Sequence, residues 1–382
     1  MANNDIIEPQ EERQALTTDA GQDDSPDIRE SEDKKLEADD AGEEISDEGV
    51  DYKVNTYGAD YPVDALVKRF DDGRIFSPEF QRNYVWSLPQ ASKFIESILL
   101  GLPVPNIFLY REENTEKNLI VDGLQRLTTL HAFHKGQFRH NDKPFKLKNV
   151  QSRFQGCTLE DLEEKYHRRF EDTVIHAIII QQIEPKVGNS SAYHIFNRIN
   201  TGGTPLHPQE IRTAIYHGPF QKFLGQLNEN PDWRNIFGPV DNRSKDQELI
   251  LRFLAISHNQ ENYEHFKNMK AFMNNFMQNN RNAKEDRLRC FETAFENTIA
   301  RARNALGDRA FRPNRSMNVA VFDAVMVAIH GRPDASSESI NHAYNSLVNN
   351  GDFKELISQR TSNTANVHGR IKMAIEAIDA AK

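Results

Sequence analysis

The chain has 382 residues, two cysteines and a formal net charge of −10, a length that can bury a substantial core and divides into about two folded units. Cys157 and Cys290 lie far apart and outside any metal-ligand spacing, which argues against a disulfide framework and a structural zinc site and fits a reducing, cytoplasmic setting. The acidity is local: residues 1–50 hold 18 of the 57 acidic side chains and 4 of the 47 basic ones, so the remaining 332 residues carry +4, a mildly basic body that need not repel nucleic acid.

Residues 1–50 contain no aromatic side chain and are dense in Asp, Glu, Ser, Gly and Gln. So little apolar surface cannot offset chain entropy, and a disordered acidic tail is expected. A solubilising tail is its simplest role; a polyanion competing for basic surfaces is the sharper one. Met1-Ala2-Asn3-Asn4-Asp5 has neither a basic stretch nor an apolar run, so no signal peptide is expected. Apolar stretches such as Val174 to Ile180 are far too short to span a bilayer, and no membrane partner is expected.

Order is expected from Tyr52. Asp64 to Phe70 reads as a short helix ended by Asp72-Gly73. Glu79-Phe80-Gln81-Arg82-Asn83-Tyr84-Val85-Trp86 follows, and then Ser87 reads as an N-cap. Behind it Phe94, Ile95, Ile98 and Leu99 recur at helical spacing up to Gly101. Ile107 to Tyr110 and Leu119 to Val121 are apolar runs separated by a polar loop, which predicts a hairpin. The second run leads into Asp122-Gly123-Leu124-Gln125-Arg126 and a helix ending by Gly136. Asp172 to Ile183 is β-branched and apolar, a core strand. A helix carrying Tyr193, Ile195 and Phe196 enters Asn197-Arg198-Ile199-Asn200-Thr201-Gly202-Gly203. From Pro208 onward the pattern is helical, with loops at Pro231, Gly238 to Asp241, Gly307 to Asn314 and Gly331 to Ser337. The fold class is α+β, a small sheet followed by an all-helical region.

Three constellations could carry chemistry. A strand, a glycine turn and a helix that begins near an arginine form a phosphate-binding arrangement: free N–H groups and the Arg126 guanidinium face an anion. Asp122 at the strand end could hold a metal ion or orient water. A capped turn with a surface ion pair would show the same residues. In the second, Gln81 and Arg82 are interleaved with Phe80, Tyr84 and Trp86, which suits a stacked base and a contacted phosphate; a core aromatic pair beside an exposed arginine is the alternative. In the third, Asn197, Arg198 and Asn200 precede a double glycine, a loop able to wrap polar ligand atoms.

Taken together, Pro78 to Trp86, Ser97 to Pro105, Ile120 to Leu130 and Phe196 to Leu206 closely resemble the N-terminal domain of the GmrSD type IV restriction enzymes, a family with a ParB-like fold and a DGQQR signature. The resemblance is strong from Tyr61 to Tyr216 and loose beyond. It implies a ParB/sulfiredoxin-like mixed sheet that binds and hydrolyses nucleoside triphosphates with Mg2+ or another divalent cation. Gly123, Gln125 and Arg126 would cradle phosphates, with Asp122 and Arg126 catalytic, Asp122 also the metal-orienting carboxylate, and Gln81 and Arg82 approaching from the preceding loop. Tyr84, Trp86, Asn197, Arg198 and Asn200 complete the nucleotide-binding set.

The chain departs from the pattern twice. Leu124 stands where the signature has its first Gln, which weakens hydrolysis if that Gln positions water. The 13 histidines include no convincing His-Asn-His nuclease constellation: His131 and His134 lack a carboxylate at ligand spacing, His207 belongs to the asparagine-glycine segment, and His330 and His368 stand alone. DNA is therefore expected as a partner, with any cutting supplied by a separate nuclease subunit. Homo-oligomerisation is left open, and a nucleotide-gated DNA-binding protein or scaffold is the alternative to an NTPase. Between Arg281 and Arg315 nine basic residues against five acids could meet a phosphate backbone or form an ordinary solvated face. The expected division is 1–50 tail, 51–215 nucleotide-binding domain and 216–382 helical domain.

Overall fold

The computed structural model describes residues 53–77, 84–112, 115–138, 143–184, 190–199, 207–241, 243–266, 268–358 and 360–381. The expected acidic tail at 1–50 lies outside them, and everything described falls within one contact unit, Glu43–Lys382.

β1 (Lys53–Pro62) runs directly into α1 (Val63–Asp71), and β2 (Ile75–Phe76) follows the turn at Gly73. α1 buries Val63, Leu66 and Val67, the i, i+3, i+4 face of an amphipathic helix, and places Asp64 in its first turn and Lys68 and Arg69 in its last, matching the helix dipole. α2 (Leu88–Leu100) starts at Ser87, whose hydroxyl and the Gln90 side chain form a reciprocal capping box. It ends at Gly101 with φ +73°, as its sequence predicts.

β3 (Ile107–Arg111) and β4 (Asn118–Asp122) form the expected hairpin, Leu109 opposite Ile120. β5 (Val174–Glu184) lies parallel to β3, and β1 pairs antiparallel with β5, giving the order β1-β5-β3-β4-β2. The sequence reading missed β1. It is an edge strand, mostly exposed, and its inward alternation is confined to Tyr57, Ala59 and Tyr61, without a β-branched apolar run.

The central strands are covered on both faces. Ile107, Leu109, Ile120 and Ile179 join a core built with α1, α2, α3 (Leu124–His134) and α4 (Glu164–Asp172). Tyr110, Leu119 and Val121 point the other way, into a second core that α5 (Ser190–Ile199) enters with Tyr193 and Phe196. Successive strand residues face opposite sides, so burial on both faces explains why β4 reads as an uninterrupted apolar run.

The rest is helical: α6 (Pro208–Ile215), α7 (Pro219–Leu227), α8 (Pro231–Phe237), α9 (Lys245–Asn259), α10 (Met269–Asn280), α11 (Glu285–Leu306), α12 (Val319–His330), α13 (Ser337–Asn349), α14 (Gly351–Leu356) and α15 (Thr364–Ala380). The loop expected at Pro231 is instead the first turn of α8, capped by Asn230. Proline at that position forfeits no hydrogen bond, because the first N–H groups of a helix have no internal partner. α10 buries Met269, Phe272, Met273, Phe276 and Met277 as a core stripe. α12 is buried along nearly its whole length, and Asp323 at its centre accepts from Arg252 of α9 at 2.6 and 3.1 Å and from Arg370 of α15 at 2.8 Å. Two guanidinium groups around one carboxylate keep these buried charges paired.

Candidate nucleotide site at the Gly123 turn

Asp122 closes β4 and faces the same side of the sheet as Ile120, toward α3. Gly123 then turns the chain at φ +101° and ψ 8°. A Cβ at this position would stand 2.6 Å from Cγ2 of Ile107 on the neighbouring strand, so strand, turn and helix close up only with glycine here. The first helical bond runs from the Leu127 N–H to the Gly123 carbonyl at 2.9 Å. The N–H groups of Leu124, Gln125 and Arg126 therefore have no partner within the helix ladder and sit at its positive end.

Arg126 reaches back one turn. Its Nη2 donates to Asp122 Oδ2 at 2.6 Å and its Nη1 to the Asn106 carbonyl at 2.8 Å. The arginine side chain is 13% exposed and the aspartate 42%, so the carboxylate, not the guanidinium, is what solvent meets.

Gln125 has a function that the sequence reading did not foresee. Its Oε1 accepts from the Val85 N–H at 2.9 Å and the Trp86 N–H at 3.3 Å. One turn on, the Thr129 hydroxyl donates to the Gln125 carbonyl at 2.7 Å, and the Tyr84 hydroxyl lies 2.7 Å from the same Thr129 oxygen. Because the threonine proton is already directed at a carbonyl, Tyr84 is the donor in that pair. Tyr84 also meets Phe138 edge-on at 5.8 Å, and Trp86 meets Phe94 at 5.6 Å. Helix α3 thus holds residues 84–86 against the turn at three points. Thr129 sits four residues after Gln125, the spacing of a hydroxyl back-bond within a helix. Nothing local in the sequence couples it to Tyr84, 45 residues away.

Leu124, at the departure from the signature, is partly buried against the first core. Arg198 stands exposed in the last turn of α5, which packs on β4. Asn197 belongs to the same helix, its side chain outside the described residues; Gln81, Arg82 and Asn200 lie outside them altogether. His207, after the asparagine-glycine segment, caps α6: its Nδ1 accepts from the Gln209 N–H at 3.4 Å, 3.6 Å from Glu248. Burial pushes its pKa below the usual histidine value, against the pull of Glu248.

The other histidines are less isolated in space than in sequence. His131 Nε2 lies 2.7 Å from Asp71 of α1, a carboxylate that no spacing rule could supply. His330 faces His258, ring centres 5.9 Å apart, and His368 stacks against Tyr263. Among the described residues no group of three or more His, Cys, Asp or Glu side chains could hold a metal ion, and no helix is long and apolar enough to cross a membrane.

The basic run from Arg281 to Arg315 divides: Lys284, Arg287, Arg289, Arg309 and Arg315 are exposed, and Arg281, Arg301, Arg303 and Arg312 are partly buried. Arg301 donates to three backbone carbonyls, of Ile329, Arg332 and Ala335. Arg303 pairs with Asp232 and Asp308, Arg312 binds the Ile236 carbonyl, and Arg281 binds Glu112 and the His217 carbonyl. These four arginines hold neighbouring elements together, while the other five basic residues face solvent.

The family model for the GmrSD restriction endonuclease N-terminal domain matches residues 63–217. Over that span, 155 of the 382 residues, the chain is similar to this domain. The matched span runs from α1 through the Gly123 turn to the end of α6, and a restriction family ties the protein to DNA-directed restriction or defence. Neither the curated proteins nor the solved structures compared with the chain matched it.

Proposed function

We propose that this protein binds nucleoside triphosphates, together with Mg2+ or another divalent cation, at the Gly123 turn and hydrolyses them within a DNA-directed restriction or defence system. The observation that carries this reading is the Asp122–Arg126 pair at 2.6 Å on a helix start with free N–H groups. A phosphate alone would meet an exposed carboxylate there, so the donor set fits a phosphate accompanied by a cation better than a bare anion. One carboxylate suffices for such an ion, which takes its other ligands from water and phosphate oxygens. When bound, the cation would neutralise phosphate charge.

The chain's own residues then divide the work. Asp122 holds the cation and orients water, and the N–H groups of Leu124, Gln125 and Arg126 receive phosphate oxygens. Arg126 is held ready by Asn106 and Asp122. Trp86 offers a ring for the base, Gln125 keeps residues 84–86 in place, and Arg82 would contact a phosphate. Gln81, Tyr84, Asn197, Arg198 and Asn200 complete the proposed binding set. DNA cutting would come from a separate nuclease subunit.

Leu124 favours a second reading, a nucleotide-gated DNA-binding protein or scaffold without turnover, because a side chain packed on the core cannot position water. Phosphate release from each of the four nucleoside triphosphates, with magnesium and with or without duplex DNA, separates the two. Wild-type turnover that falls at least about a hundredfold in both Asp122→Ala and Arg126→Ala supports the NTPase. Asp122→Ala should at the same time bind nucleotide more tightly in EDTA than wild type, since it uncovers Arg126. Turnover unchanged in both variants removes the site from this turn. Thermal stabilisation by nucleotide without turnover selects the gated reading.

A further inference from the structure

The sheet carries a second concave site at its opposite end. A cavity of about 560 Å³ opens between β1, the end of α1 and the β3–β4 turn. Its Asn118 wall is four residues along β4 from Asp122, roughly 13 Å at strand rise. Four cationic side chains line it, Arg69, Arg74, Arg111 and Lys117, against a single carboxylate, Glu116. Glu116 pairs with Arg111, and Asp72, beside the lining, stands 3.7 Å from Arg74, which leaves a net positive charge around the cavity that an anionic ligand would relieve.

The walls are built, not loosely scattered. The Arg69 guanidinium lies over the Tyr61 ring at 5.0 Å. Arg111 donates to the Tyr57 hydroxyl at 3.5 Å and sits 3.2 Å from Glu116. Asn118 is 7% exposed, its N–H bound to the Arg74 carbonyl at 2.8 Å. Its side-chain Oδ1, however, is buried with no hydrogen-bond partner among the described residues. A buried acceptor left unmatched destabilises the fold and calls for a reason beyond packing. Tyrosine rings beside arginines suit a base whose phosphate the cations hold. The volume fits one nucleotide and not a duplex.

We infer that this cleft binds a nucleoside phosphate, either a free nucleotide or the 5′-phosphorylated terminal nucleotide of a strand. The inference does not rest on the reading of the Gly123 turn. The test uses full-length protein carrying Arg126→Ala, in EDTA, so that the turn contributes little. Binding of a fluorescent adenosine diphosphate and of a labelled hexadeoxynucleotide, with and without its 5′-phosphate, is followed by anisotropy.

The Arg126→Ala protein should bind one equivalent of at least one probe. Adding Arg74→Glu and Lys117→Glu, both solvent-facing, should weaken it about a hundredfold, roughly tenfold for each cation. Binding of the free nucleotide identifies that source, and binding of the strand only with its 5′-phosphate identifies the other. Equal affinity in a charge-reversed protein of unchanged thermal midpoint, or no binding of any probe by the Arg126→Ala protein, overturns the inference. Failure of phosphate release at the Gly123 turn would leave these outcomes unaffected.

Discussion

At Gly123 two constraints coincide on one residue. Its φ of +101° is a conformation that costs an L side chain about 1 kcal/mol or more, and a Cβ would press on Ile107 at 2.6 Å, where overpacking adds roughly 1–3 kcal/mol. Gly123→Ala should therefore lower the free energy of urea unfolding by about 2–4 kcal/mol; a loss under about 1 kcal/mol would show that the turn relaxes freely. The glycine turn between strand and helix was legible in the sequence. Ile107 as its neighbour was not, because strand pairing across the hairpin brings it there. Arg126 shows the same limit. Its proximity to Asp122 follows from i, i+4 spacing, but its second bond, to the Asn106 carbonyl, depends on tertiary packing.

Among the elements, α3 does more than present its N-terminus. Through Gln125 and Thr129 it fixes the segment that enters α2, so the two conspicuous sequence motifs of the first half meet at one place. Gln125→Ala should speed hydrogen exchange at the Val85 and Trp86 amides and weaken nucleotide binding about tenfold, the equivalent of one or two lost hydrogen bonds. Gln125→Glu keeps an acceptor oxygen and should restore much of the exchange protection. Unchanged protection in the alanine variant would mean that Tyr84 and the aromatic contacts alone hold the segment. Helices α1 and α2 could be read from caps and apolar spacing because both signals are local. β1 could not, because an exposed edge strand is defined by its partner β5 and hardly by its own side chains.

Across the whole molecule, charged groups are buried where helices cross. Glu248 is the clearest case: burial raises its carboxyl pKa, yet Arg212, His207 and Arg252 outweigh that and hold it at about 2, below its ordinary 4.5. A carboxylate depressed in the folded state contributes stability that is complete above its unfolded pKa and is lost as pH falls toward the folded value. His207, lowered by burial, acts in the same direction, since protonating it below its ordinary 6.5 opposes folding. Urea unfolding should thus show a steep loss of stability from neutral pH down to about pH 3. Glu248→Gln should cost roughly 3–5 kcal/mol at neutral pH, because Arg212 is then buried without its carboxylate. It should also flatten the acid limb below pH 5; an acid limb as steep as wild type would place the titrating groups elsewhere.

Composition and periodicity by themselves determined the α+β class, the hairpin, the Gly123 turn, the caps of α2 and the helical second half. Each of these depends on residues a few positions apart, where backbone geometry and side-chain spacing act directly. Tertiary structure alone decided that Gln125 anchors Val85 and Trp86, that Asp71 meets His131, and that Arg301, Arg303 and Arg312 of the basic run bind carbonyls and carboxylates of other elements. It also assembled the cationic cleft, whose arginines and lysine come from α1, the turn before β2 and the β3–β4 hairpin. Such pairings join residues tens of positions apart, and the chain entropy that separates them is overcome only by the packing of the complete cores.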